Sequence, residues 1–139
     1  MIYRIDVDIE TPVNPTEVSD RVEEAVYNVF PDAELERDGN RLVGESHSLA
    51  RLSELLHQRE ILDTARGAFF DGREDNQINF SLKKQAAWVG VATFAVGEPS
   101  ELGDIDVTVT VHEPTVEQLI DHIAPPTEDG KPIDVSEDG

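Results

Sequence analysis

Six cationic side chains gather in one stretch of an otherwise anionic chain: Arg51, Arg59, Arg66, Arg73, Lys83 and Lys84. Guanidinium and ammonium groups grouped in this way, with the amide of Gln85 beside them, have the chemistry of an anion contact such as an RNA backbone, or of a charged interface. A second kind of chemistry is offered by the carboxylate pairs Asp6/Asp8, Asp104/Asp106 and Glu128/Asp129. Paired acids bind Mg²⁺ or carry out acid–base catalysis. In a chain with 30 acidic residues, however, such pairs arise by chance, and two of these fall on the polar positions of predicted strands. The four histidines, His47, His57, His112 and His122, show neither His-x-x-x-His nor Glu-x-x-His ligand spacing. Ser46-His47-Ser48 has no sign of a nucleophile elbow, and the chain contains neither a Walker loop nor Gly-x-Gly-x-x-Gly. These patterns predict a protein that is not an enzyme and that needs no cofactor or metal.

The charge asymmetry decides where an anionic partner would bind. Residues 1–50 hold 12 acids and 4 bases, residues 51–84 hold 6 and 6, and residues 85–139 hold 12 and 1, so the flanks account for the whole net charge of −19. An acid excess of this size with only three lysines (Lys83, Lys84, Lys131) fits either an acidic interaction surface or adaptation to a salt-rich cytoplasm. Because the acids are spread over both flanks, halophilic adaptation is the favoured reading. The chain has no cysteine, which excludes thiolate metal sites and thiol nucleophiles. Its N-terminus, Met1-Ile2-Tyr3-Arg4-Ile5-Asp6, has no apolar signal core, and no apolar stretch approaches the ~18 residues of a membrane helix. A soluble cytoplasmic protein without membrane contact is predicted.

The elements that must position these residues follow from periodicity. Tyr3, Ile5, Val7 and Ile9 alternate with charged residues, as in a half-buried strand. Asn14-Pro15-Thr16-Glu17 reads as a capping box that opens a helix through Val18, Val22, Ala25, Val26 and Val29, stopped by Pro31. Leu35, the turn Asp38-Gly39-Asn40 and Leu42-Val43 predict a hairpin. Ser46 or Ser48 caps a helical region with Leu49, Leu52, Leu55 and Leu56 as its stripe; the pattern resumes with Leu62, Ala65 and Phe69 and ends at Gly72. Ile78, Phe80 and Leu82 mark a strand, Trp88 through Val96 a more apolar strand, and Ile105, Val107, Val109 and Val111 a third after the turn Gly97-Glu98-Pro99. Val116, Leu119, Ile120 and Ile123 give a last helix. The order predicts an α+β domain with a largely antiparallel sheet and helices packed on it, spanning 1–124, followed by an acidic, loosely ordered tail over 125–139.

Five segments then carry a resemblance: Phe30-Pro31-Asp32, Ile61-Leu62-Asp63-Thr64-Ala65-Arg66, Lys84-Gln85-Ala86-Ala87, Leu102-Gly103-Asp104-Ile105 and Ile123-Ala124-Pro125-Pro126-Thr127. In this order and at these intervals they resemble the archaea-specific uncharacterised protein family 201 over nearly the whole chain, with Lys84-Gln85-Ala86-Ala87 the most distinctive piece. The resemblance implies a fold similar to the 5S-RNA-binding ribosomal protein, a homodimer, and RNA binding or exosome association. Relatives fused to a nucleotide-kinase-like P-loop domain imply a protein partner of that kind. The family supplies no catalytic residues. The acid excess and the acidic tail after Thr127 set this chain apart from most relatives and weigh against phosphate binding more than against the fold.

Two functions therefore compete: RNA association, implied by the resemblance, and a protein-interaction module. Either would use Arg51, Arg59, Arg66, Arg73, Lys83, Lys84 and Gln85. Arg59 and Arg66 lie seven residues apart, about 20° from aligned on one helix face. The simpler expectation is that Asp63 consumes both locally, from i+4 of Arg59 and i−3 of Arg66, each pair contributing ~0.2–0.5 kcal/mol. Salt favours that expectation: six phosphate contacts would lose on the order of 10⁵ in affinity for each tenfold rise in salt. Stacking could compensate, but Trp88, two Tyr and five Phe sit mostly at core-facing positions.

Overall fold

Alternation builds the centre of the molecule. The computed structural model describes residues 3–95, 103–128 and 131–132. In chain order the elements are β1 (Arg4–Pro12), α1 (Ser19–Val29), β2 (Glu34–Asp38), β3 (Arg41–Ser46), α2 (Ala50–Gln58), α3 (Leu62–Asp71), β4 (Arg73–Glu74), β5 (Gln77–Lys83), α4 (Lys84–Trp88), β6 (Asp104–Glu113), α5 (Val116–Ile123), β7 (Thr127–Glu128) and β8 (Lys131–Pro132). The first six strands form one antiparallel sheet in the order β2-β3-β1-β6-β5-β4, and β7 pairs with β8. This is the α+β architecture that the periodicity predicts.

The sheet has one dry face. Ile5, Val7 and Ile9 of β1, Ile105, Val107, Val109 and Val111 of β6, and Ile78, Phe80 and Leu82 of β5 are all buried. Against them pack Val22, Ala25, Val26 and Val29 of α1, Leu52, Leu55 and Leu56 of α2, Leu62, Ala65 and Phe69 of α3, and Leu119, Ile120 and Ile123 of α5. Each fully buried aliphatic side chain contributes about 1.5–3 kcal/mol. Phe69 meets Phe80 and Phe94 edge-on at 5.0 and 5.5 Å, the arrangement aromatic quadrupoles prefer.

Three local expectations are corrected. The described part of the segment predicted from Trp88 to Val96, Trp88 to Ala95, is not a strand: Lys84–Trp88 is helical, Gly90 turns the chain at φ +75°, and among the described residues only Phe94 bridges to Leu82. A fully apolar run carries no period, and Ala86-Ala87 favours the helix. The helix after Asn14 begins only at Ser19. Glu17 does accept from the Asn14 N–H at 2.9 Å, but Glu17 N–H closes a single turn onto the Asn14 carbonyl and Val18 is extended. Finally, Arg59 and Arg66 do not share a helix. Glu60 adopts φ +55° between α2 and α3, which takes Arg59 out of register with Asp63. The predicted turn at 97–99 and residues 129–130 and 133–139 of the tail lie outside the described residues. Within the tail, Thr127 donates its hydroxyl to Asp63 at 2.6 Å.

Gly72 is required by a close approach. Its N–H ends α3 on the Ala68 carbonyl and its own carbonyl accepts from Asn79 N–H at 2.9 Å, so helix and strand touch through backbone. A Cβ there would collide with the Asn79 carbonyl. Gly72→Ala is expected to cost about 1–3 kcal/mol as β5 and α3 are pushed apart; an unchanged urea midpoint would contradict this contact.

Candidate binding surface

Among the described residues, helices cover one face of the sheet and leave the other open, and strand register decides what stands on it. One row across the strands reads Glu34, Glu45, Asp8, Thr108, Asn79. The next reads Glu36, Val43, Glu10, Asp106, Ser81. Asp38 flanks these rows at one end and Asp6 at the other. Acids that look dispersed in sequence therefore converge: Asp6, Asp8, Glu10, Glu34, Glu36, Asp38, Glu45 and Asp106 share one surface. A groove of about 680 Å³ runs between Asp8, Glu10, Glu34, Glu36, Glu45 and Asp106. Arg4, Arg41 and Lys83 bring cations to its margins; Arg41 pairs with Glu10, and Arg4 lies 3.7 Å from Glu113. None of the row positions is aromatic.

The predicted cationic residues are placed elsewhere and apart. Arg51 on α2 is 3.4 Å from Glu54. Arg66 on α3 donates to Asp121 at 2.8 Å and to the Ala124 carbonyl at 2.9 Å, with Phe70 under its guanidinium at 5.4 Å. Its pairing is thus long-range, onto α5, and not with Asp63 as local spacing suggested. Arg73 on β4 reaches Glu117 at 2.9 Å. Arg59, Lys83 and Gln85 are exposed, and among the described residues the side chains of Arg59 and Lys83 have no ion-pair partner.

Lys84 departs furthest from a surface contact. Its side chain is 0% exposed; Nζ donates to the Pro12 carbonyl at 2.6 Å and to Glu17 at 3.0 and 3.3 Å. Burial alone would push the Glu17 carboxyl up. The Asn14 N–H, the Lys84 ammonium and the Asn14 amide outweigh it and hold Glu17 below the ordinary glutamate value. Lys84, the first residue of the Lys84-Gln85-Ala86-Ala87 segment, therefore ties α4 to the end of β1 and the loop before α1.

A further cluster had no signature in sequence spacing. His112 Nε2 donates to Asp6 Oδ2 at 2.7 Å, and His47 Nδ1 lies 3.2 Å from both Asp6 Oδ1 and the Ile5 carbonyl. These residues come from β1, the end of β3 and the end of β6. The register shift between Arg4 and Ile5 leaves His112 as the extra residue of a bulge, which aims it across at Asp6. Among the described residues no group of His, Asp or Glu is arranged to hold a metal ion.

A two-layer α+β protein with one open, anionic sheet face is the class that this geometry defines. A family model described as RNA binding matches residues 6–112. A UPF0201 protein of Methanopyrus kandleri is 40% identical over 140 residues, covering 90% of this chain and 87% of that protein. The crystal structure of a UPF0201 protein from Methanococcus jannaschii superposes with a TM-score of 0.85 at 36% identity, over 93% of this chain and 99% of that one. The chain belongs to the archaeal UPF0201 family. A UPF0200/UPF0201 protein of Archaeoglobus fulgidus is 38% identical over 93% of this chain, which spans 40% of that longer protein. No helix among the described residues is long and apolar enough to cross a membrane.

Proposed function

We propose that this protein is a non-catalytic interaction module that docks a cationic protein partner on the open face of its sheet. The convergence of eight carboxylates on one sheet face, six of them around one groove, carries this reading. A phosphate backbone would be repelled there in dilute salt and gain nothing in concentrated salt, and none of the row positions of the face is an aromatic on which bases could stack. A protein partner differs because it brings apolar groups to Val43 and the groove floor as well as cations, and pairs desolvated in an interface are screened far less than exposed ones. The longer Archaeoglobus relative adds support: this chain spans 40% of it, and a further segment joined to the matching region would meet that region at high effective concentration. A nucleotide-kinase-like protein, the partner that the family resemblance implies, is one candidate for the docked chain.

RNA association is the second reading, favoured by the description of the matching family model and by the exposed Arg59 and Lys83, which have no ion-pair partner among the described residues. One titration separates the two. A Lys/Leu-rich amphipathic peptide is expected to bind, and to weaken about tenfold or more in Asp8→Asn/Glu34→Gln/Glu45→Gln. Removing the same charge from α1, in Asp20→Asn/Glu23→Gln/Glu24→Gln, is expected to change little. A mixed-sequence single-stranded RNA is expected not to bind. RNA binding that survives face neutralisation and is lost in Arg59→Glu/Lys83→Glu would replace the docking reading with the RNA one.

A further inference from the structure

We propose that His47 and His112, gripping opposite oxygens of Asp6, form an acid-triggered charge switch at the end of the open face that releases a cationic partner. This inference rests on the docking reading and adds its regulation. The cluster borders a cleft of about 680 Å³ that also includes Tyr3, Arg4 and Glu113, and a smaller one bounded by Asp8, Glu45 and Thr110. The charged groups facing it are Arg4, Asp6 and Asp8 from β1, Glu45 and His47 from the end of β3, and His112 and Glu113 from β6. His122 of α5 stacks on Tyr3 at 4.5 Å beside them.

A carboxylate can only accept, so both ring nitrogens that face Asp6 carry protons and the opposite nitrogen of each ring is the one that gains the next. The His47 and His112 side chains are 74% and 48% exposed, so solvent protons reach them without rearrangement. Histidine is the side chain that changes charge between about pH 5 and 8. Asp6 does not take the proton instead. The His112 hydrogen bond lowers its pKa most, burial opposes, and the charges of His112 and His47 add to the lowering, so the carboxyl lies below its ordinary value. Acidification therefore turns the Asp6 cluster from a single negative charge to a single positive one while the His112–Asp6 hydrogen bond and the 3.2 Å approach of His47 to Asp6 persist. A cationic partner that docked against Asp6, Asp8 and Glu45 at neutral pH then meets imidazolium.

The test pairs peptide titration with imidazole NMR. Affinity for the Lys/Leu-rich peptide is expected to fall on the order of tenfold from about pH 8 to about pH 5.5 in the wild type. His47→Gln/His112→Gln is expected to hold its affinity across that range. An equal fall in the double variant overturns the switch and leaves the docking reading intact. If the peptide binds at neither pH, the docking reading fails and NMR decides the cluster by itself. His47 and His112 must then titrate together and shift in Asp6→Asn, with His57 as the unaffected reference; independent titration that ignores Asp6→Asn overturns the cluster as well.

Discussion

Lys84→Met is expected to lose about 3–5 kcal/mol of stability, because it breaks a buried ion pair by removing one partner. The substitution keeps an unbranched side chain one atom shorter but strands the Glu17 carboxylate, whose side chain is 2% exposed, with the Asn14 amide and backbone N–H as its remaining donors. Two arms show that charge is responsible. Glu17→Gln/Lys84→Met removes both charges and is expected to recover much of the loss, because a buried ion pair replaced by neutral groups is often close to neutral in stability. The pH arm follows from the sign of the shift. In the wild type the Glu17 carboxyl lies below its ordinary value, so the unfolded chain binds the proton more readily. The stability it contributes is complete above the ordinary glutamate range and is lost as pH falls through the folded value. Without the ammonium, burial dominates and the carboxyl protonates more easily, so the deficit of Lys84→Met is expected to shrink from about pH 7 to about pH 4. Urea unfolding in molar KCl measures both. An equal deficit at the two pH values would show that packing, not charge, was lost.

Stability is expected to rise by several kcal/mol, on the order of the whole open-face repulsion, between dilute buffer and molar KCl. Glu45 stands directly between Glu34 and Asp8 on neighbouring strands, and Glu10 stands opposite Asp106. Like charges across a strand pair, about 5 Å apart, repel by roughly 0.8 kcal/mol at the dielectric of water. At molar ionic strength the Debye length is ~3 Å, and these repulsions largely vanish. Glu45→Lys turns two of them into attractions at one position. It should therefore stabilise the fold by about 1–3 kcal/mol in dilute buffer and by almost nothing in molar KCl. Thermal melts at both salts decide it. A melting temperature that does not depend on salt, or a Glu45→Lys gain that persists at molar KCl, would mean that the open-face carboxylates are too well solvated to repel.

The central strands, the hairpin, α2, α3 and α5 were legible because each has one wet and one dry face, which writes a period of 2.0 or 3.6 into the chain. Where that contrast disappears the reading failed: Trp88 to Val96 is apolar at nearly every position, so strand and helix could not be told apart. The cationic segment misled for a different reason. Local spacing gave Arg59, Asp63 and Arg66 to one another, whereas Glu60 breaks the helix between them and Arg66 finds Asp121, 55 residues away. The histidine cluster could not be found by ligand spacing, since Asp6, His47 and His112 come together through strand pairing and a bulge. A weaker signal was present in the polar positions of the predicted strands: Asp6, Asp8, Glu10, Glu34, Glu36 and Asp106 are all acidic.

Periodicity and composition by themselves determined an α+β chain, which residues form its core, and a large anionic excess. Those properties depend on neighbours within a few residues and on simple sums. Strand order, by contrast, is set by contacts between distant segments, and only β2-β3-β1-β6-β5-β4 places Glu34, Glu45, Asp8 and Asp106 around one groove. The same long-range packing took Lys84 out of solvent and paired it with Glu17, 67 residues earlier. Tertiary structure therefore decided the site. A charge acts on whatever lies within a few ångströms of it, and in a sheet with this strand order those neighbours are seldom neighbours in sequence.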